Sequence, residues 1–251
     1  MEDRRIVCWF SRGCASAIAT TLTLKEHPEA VIACCVTGSE HADNDRFEAD
    51  WIRRWNRPVE HLKSDQYTDT WDVWERRRFM AGRDGAPCTV ELKVGPRLAW
   101  QRPTDIHVFG YTADKADVTR AKRLRDNYPE LTVWTPLIDA GLDKAACLAM
   151  TENAGITPPV TYAMGYPNAN CIPCVKATSP DYWALVRKMH PEEFERAAKL
   201  SRELGARLAR INDERIFIDE IPADWPTTNP IAPACDFLCH LAEQDMAEKA
   251  A

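Results

Sequence analysis

The sequence predicts an α/β protein: a five-stranded parallel sheet flanked by helices, with a C-terminal helical extension that contains cysteines. Three observations predict it. Five short apolar runs, rich in β-branched and aromatic residues, punctuate residues 4–137. Amphipathic stretches of helical period separate them, and that alternation builds a parallel sheet covered on both faces. Past residue 160 the chain turns to Gly-, Pro- and Asn-containing sequence and then to helix. The expected division is an α/β unit over 1–165 and an extension over 166–251 packed on it.

The expected strands are RRIVCWF (4–10), AVIACCV (30–36), PVEHL (58–62), DIHVFGY (105–111) and LTVWTPL (131–137). Helical patterns occupy 15–26, 44–55, 70–81, 89–100, 115–127 and 143–154. Thr70 is suited to cap a helix beginning at Trp71, Gly82 follows its end, and Gly155 stops the 143–154 helix. Pro180 and Pro191 stand at the first positions of helices 180–189 and 191–209. RIFIDEIP (215–222) reads as a late strand, and TTNPIAPAC begins an irregular tail.

Composition narrows the function. A net charge of −6 over 251 residues gives no support to general nucleic-acid binding, although Arg76–Arg78 and the arginines of 120–125 allow a local contact. No apolar run approaches the roughly 18 residues of a membrane helix. The start, MEDRRIVCWF, mixes charge with a short apolar run, unlike a secretory signal. A cytoplasmic location is expected. Ten cysteines in such a chain point to metal or redox chemistry rather than disulfides.

The first strand runs into Ser11-Arg12-Gly13-Cys14-Ala15-Ser16 and then a helix. Backbone N–H groups at a helix start attract anions, Gly13 permits close approach, Ser11 and Ser16 offer hydroxyls, and Arg12 adds charge. The loop lacks the Lys-Ser/Thr of a Walker A motif and the three glycines of a dinucleotide fold.

This loop resembles the PP-loop, SGGxDS, of the ATP-pyrophosphatase and phosphoadenosine phosphosulfate (PAPS) reductase superfamily. Arg12 stands where the first glycine would be and Ala15 where the aspartate would be. Four further segments resemble the family in order. VTGSE resembles its D-T-G-x-E run through Thr37, Gly38 and Glu40. CTVELKVGPRLAW resembles Cys-Cys-x-x-x-Lys-Val-x-Pro-Leu through Cys88 and Lys93, with Thr89 in place of the second cysteine. GYTADKADVTR ends on the family's arginine, Arg120, and VWTPL to CIPC resembles its W-x-P-L … C-x-x-C block. The resemblance spans roughly residues 4 to 178. It implies an adenine nucleotide alpha-hydrolase-like fold and an adenine nucleotide held by Ser11, Arg12, Gly13, Ser16, Thr37, Gly38, Glu40, Lys93 and Arg120. Arg97 and Arg123 are further candidates to neutralise phosphate or sulfo groups.

Cys171-Ile-Pro-Cys174 is a two-ligand hook, and Cys235 and Cys239 form a second pair about 60 residues on. Four thiolates suit zinc or an iron–sulfur cluster equally. The resemblance favours a 4Fe–4S cluster and implies Cys88, Cys171 and Cys174 as ligands, with Cys235 or Cys239 as the fourth. The other set is Cys171, Cys174, Cys235 and Cys239. Cys8, Cys34, Cys35 and Cys147 lie in apolar runs and read as buried small hydrophobes.

The leading expectation is a PAPS reductase-type enzyme binding PAPS, adenylyl sulfate or ATP, with a thiol electron donor. Sulfonucleotide reductases carry their nucleophile in a C-terminal Glu-Cys-Gly-x-His signature. Here Leu238-Cys239-His240 departs from it, which leaves Cys239 as either nucleophile or ligand. One alternative is an ATP-dependent, cluster-containing sulfurtransferase acting on RNA or DNA. Another is a non-catalytic nucleotide-binding protein with structural zinc.

Overall fold

A computed structural model describes residues 4–82 and 85–231. Cys235, Cys239 and His240 lie outside the described residues.

The five strands are β1 (Ile6–Trp9), β2 (Val31–Cys35), β3 (Glu60–Leu62), β4 (Ile106–Phe109) and β5 (Thr132–Trp134). They form one parallel sheet in the order β3-β2-β1-β4-β5. The chain therefore builds outward from β1 to β3, then returns to the other side of β1 to add β4 and β5. The strand order reverses at β1, and in open α/β sheets ligands bind beyond the carboxyl ends of the strands at such a point.

Eleven α-helical segments accompany these strands among the described residues. They are α1 (Cys14–Glu26), α2 (Asp43–Trp55), α3 (Thr70–Arg77), α4 (Pro87–Thr89), α5 (Gly95–Trp100), α6 (Lys115–Asn127), α7 (Pro136–Asp139), α8 (Lys144–Asn153), α9 (Val160–Ala163), α10 (Pro180–Met189) and α11 (Pro191–Leu204). A π-helical turn, Val90–Val94, joins α4 to α5.

Alternation along the strands divides the core. Ile6 and Cys8 pack with Val108 and with Leu24 of α1. Val7 and Trp9 point the other way, packing with Ala33, Cys35 and Phe109 and with Trp100 of α5. A separate cluster joins Trp71 and Trp74 of α3 to Tyr182 and Trp183 of α10 and Phe194 of α11. At the amino ends of β1 and β4, buried Asp105 takes a two-pronged bond from Arg5, at 3.0 and 2.7 Å.

Several boundaries differ from the sequence reading. The helix expected over 70–81 ends at Arg77, because Arg78 turns left-handed at φ 51°. Its cap is Asp69, whose carboxylate accepts from the Asp72 N–H at 2.8 Å, while the Thr70 hydroxyl bonds Ser39. The helix expected over 191–209 stops at Leu204, where Gly205 takes φ 67°. The late strand shrinks to β7 (Glu214–Ile216), paired antiparallel with β6 (Ala209–Ile211) and followed by a 3-10 turn, Ile218–Glu220.

Candidate functional site

A cavity of about 320 Å³ opens at the carboxyl ends of β1, β2 and β4, where the strand order reverses. That is a volume suited to a small ligand of nucleotide size. One wall is the sheet surface, with Trp9, Ala33 and Phe109. Trp9 stands between Ala33 and Phe109 in register, its ring stacked on Phe109 at 6.4 Å and the small Ala33 on its other side. The facing wall comes from the π turn and α5, with Lys93, Val94 and Arg97.

The loop from β1 to α1 closes one end through Ser11, Gly13, Ala15 and Ser16. Its shape is held internally. The Ser16 hydroxyl accepts from the Ser11 N–H at 3.0 Å and lies 3.2 Å from the Ser11 hydroxyl, and it donates to the Gly13 carbonyl at 2.9 Å. The N-cap residue Gly13 offers α1 no side chain, the Cys14 N–H donates to the Tyr162 hydroxyl at 3.3 Å, and the first turn carries no acidic residue. The positive end of a 13-residue helix therefore faces the cavity without a fixed negative partner. β4 ends directly against this loop. A Cβ on Gly110 would stand 2.7 Å from both Cα and N of Ser16, so only glycine allows the approach.

Arg12 occupies a different position from the other loop residues. Its backbone is left-handed at φ 59°, and its buried side chain turns to α2. There the guanidinium pairs with Asp45 at 2.9 Å and with Glu48 at 2.5 Å. It is not among the side chains that line the cavity. Basic charge comes instead from Lys93, Arg97, Arg120 and Lys144. The one acidic lining residue, Asp117, is occupied by the Thr112 N–H and hydroxyl at 3.2 and 3.0 Å and by Arg120 at 2.8 Å.

Thr37, Gly38 and Glu40 lie beside the cysteine pair rather than on the cavity wall. The Thr37 hydroxyl is 2.8 Å from Cys171 Sγ, and the Thr37 N–H donates to Glu40 at 3.0 Å. The Ile172 N–H bonds the Ser39 carbonyl at 3.1 Å. Gly38 sits at φ 71°, where a Cβ would fall 2.3 Å from the Thr68 carbonyl oxygen. Lys93 connects the two regions. Burial lowers its pKa, but attraction from Cys171, Glu40, Cys174 and Cys35 outweighs burial and raises it. Burial pushes the Cys171 thiol up to about 11, against the opposing pull of Lys93 and the Thr37 hydroxyl.

The Cys174 N–H donates to the Tyr182 hydroxyl at 2.6 Å. Cys88 packs partly buried against the α3–α10 cluster, and its pKa is raised by burial and by the neighbouring Cys174. Among the described residues, no three His, Cys, Asp or Glu side chains converge to hold a metal ion. Cys8, Cys14, Cys34 and Cys147 are buried, whereas Cys35 reaches the cavity wall.

Sequence reasoning missed Gly110, Tyr111, Lys144, Tyr162, Asn168 and Asn170 as cavity residues. The signal for Gly110 was a glycine closing an expected strand. That for Asn168 and Asn170 was a polar Asn-Ala-Asn run just before the CxxC.

The sheet order and the position of the cavity define a doubly wound α/β protein with a ligand crevice at its switch point. No family model matches the chain, and no curated protein does. Among solved structures, the fold is similar to a phosphoadenylyl-sulfate (PAPS) reductase from Candida auris, crystallised as a phosphate complex. The two are 10% identical with a TM-score of 0.49, over 68% of this chain and 82% of that one. No helix among the described residues is long and apolar enough to cross a membrane.

Proposed function

We propose that this chain is an enzyme of sulfur chemistry that binds an adenine nucleotide in the switch-point cavity, as the sulfonucleotide reductases it resembles in motif do. The observation that carries the proposal is the cavity's division of labour. A helix start with no acidic partner and a serine-bearing loop favour phosphate. An apolar wall of Phe109, Trp9 and the small Ala33 beside it favours a planar base.

The reaction this reading implies consumes a sulfonucleotide and two thiols and yields the nucleotide, sulfite and a disulfide. A thiolate attacks the sulfo sulfur, the nucleotide phosphate leaves, and a second thiol displaces sulfite from the thiosulfonate. The basic lining residues would balance the leaving phosphate. Cys239 is the candidate nucleophile, and a thiol donor would restore the reduced state. A cysteine-bound 4Fe–4S cluster, or zinc, would be held by Cys171 and Cys174 with either Cys88 and one of Cys235 and Cys239, or both Cys235 and Cys239.

The test is a nucleotide panel assayed with a thiol reductant under anaerobic conditions. Sulfite released from PAPS or adenylyl sulfate supports the reductase. Pyrophosphate or AMP from ATP, produced only with an RNA or DNA acceptor, replaces it with a sulfurtransferase. Nucleotide binding with no turnover of either kind replaces it with a binding protein.

A further inference from the structure

Among the described residues, Arg97 is buried without an acidic partner. It is 8% exposed, yet its Nε has no hydrogen-bond partner and no carboxylate pairs with it among the described residues. Its charge acts on Cys35, His107 and Tyr111, none of them an acid that would be ionised at neutral pH. Its one ring neighbour is Tyr128, at 6.0 Å from the guanidinium carbon. A buried, unpaired guanidinium is costly and is normally matched by an anion. Among the described residues, the other charged side chains of this burial are paired: Arg12 with Asp45 and Glu48, Asp105 with Arg5, and Asp117 with Arg120.

We propose that Arg97, with Lys93 four residues earlier on the same wall, forms a dedicated oxyanion subsite facing a phosphoryl or sulfo group of the ligand. Arg97 and the β1–α1 loop line the same cavity from different elements, so a ligand that engages both carries a second anionic group beyond the phosphate held at that loop. The guanidinium fork favours an oxyanion that accepts two parallel hydrogen bonds, and a lysine would give only a point charge. Cys35, at the end of β2, donates to the Lys93 carbonyl at 3.5 Å and feels the charge of both cations as a half-buried neighbour. The assignment rests on reading this cavity as the ligand site, but it does not require that the ligand be a nucleotide.

The experiment measures thermal stability of the full chain in chloride buffer with added inorganic sulfate, phosphate or acetate. Wild type is compared with Arg97→Leu and Arg97→Lys. Sulfate or phosphate is expected to raise the midpoint of wild type. Arg97→Leu is expected to need about tenfold more anion or to lose the response, as when one charge-assisted bond is removed. Arg97→Lys is expected to fall between them, and its retained charge guards against a general folding defect. An equal response of wild type and Arg97→Leu overturns the subsite, and so does a response to acetate alone.

Calorimetric titration with adenosine, AMP and adenosine bisphosphates separates this from the nucleotide reading. If no nucleoside ligand binds but the sulfate response depends on Arg97, the nucleotide reading fails and the subsite stands. If nucleotides bind equally to wild type and Arg97→Leu, the subsite fails and the nucleotide reading stands.

Discussion

At the scale of single residues, the cavity is set by close approach and by how charges are paired. Gly110 shows the first. An alanine there would drive its Cβ into the backbone of Ser16, which must shift and carry the loop with it. Gly110→Ala is expected to cost roughly 1–3 kcal/mol, the range for a forced steric insertion. It should also weaken ligand binding, and urea denaturation with calorimetry reads both; wild-type values would show that the loop has slack. Asp105 shows the second. Burial alone would raise its pKa, but the bonds from Arg5 and the Arg102 N–H win, and its pKa lies below the ordinary carboxylate value. The folded state therefore favours the ionised form. That stability is present above the unfolded pKa of about 4 and is lost as pH falls through the folded value. Asp105→Asn should cost about 3 kcal/mol at neutral pH, as for one partner removed from a buried pair. The gap to wild type should narrow in acid, and a gap constant down to the acid limit would contradict the assignment.

At the scale of elements, the strands were legible and the joints were not. The apolar runs at 4–10, 30–36 and 105–111 each contain their observed strand, because parallel strands buried on both faces leave a continuous hydrophobic trace. Helix ends depended on backbone turns that composition does not reveal. Arg78 adopts a left-handed φ with no glycine to announce it, and Asp69 took the capping role that Thr70 was suited for. Asp69→Ala is expected to destabilise the protein by about 1 kcal/mol through loss of the α3 cap. Thermal denaturation checks it, and an unchanged midpoint would reassign the cap. The π turn at Val90–Val94 was likewise invisible in the sequence. Its position matters, since such turns often mark functional sites and this one carries Lys93 onto the cavity wall.

At the scale of the whole molecule, motifs scattered over most of the chain meet around one end of the sheet, in two adjoining regions. The loop residues Ser11, Gly13 and Ser16 join Lys93 and Arg120 on the cavity. Thr37, Gly38 and Glu40 instead brace the segment that carries Cys171. That split was not readable from order along the chain, because two segments following neighbouring strands can face different partners. Arg12 was misleading for a related reason: a basic residue in an anion loop invites a ligand role, but its side chain follows a left-handed backbone into α2. The metal expectation has its own check. If Cys235 or Cys239 completes a cluster, anaerobically purified protein should contain iron and acid-labile sulfide, both lost in Cys171→Ser; stoichiometric zinc without sulfide would replace the cluster with a zinc site.

The central claim is that an adenine nucleotide occupies the cavity with its phosphate at the loop around Ser16. Calorimetric titration of wild type and Ser16→Trp with adenine nucleotides tests it most directly, with circular dichroism to verify that the variant is folded. Binding to wild type and none to the folded variant is the expected result. Equal affinity for both would contradict it.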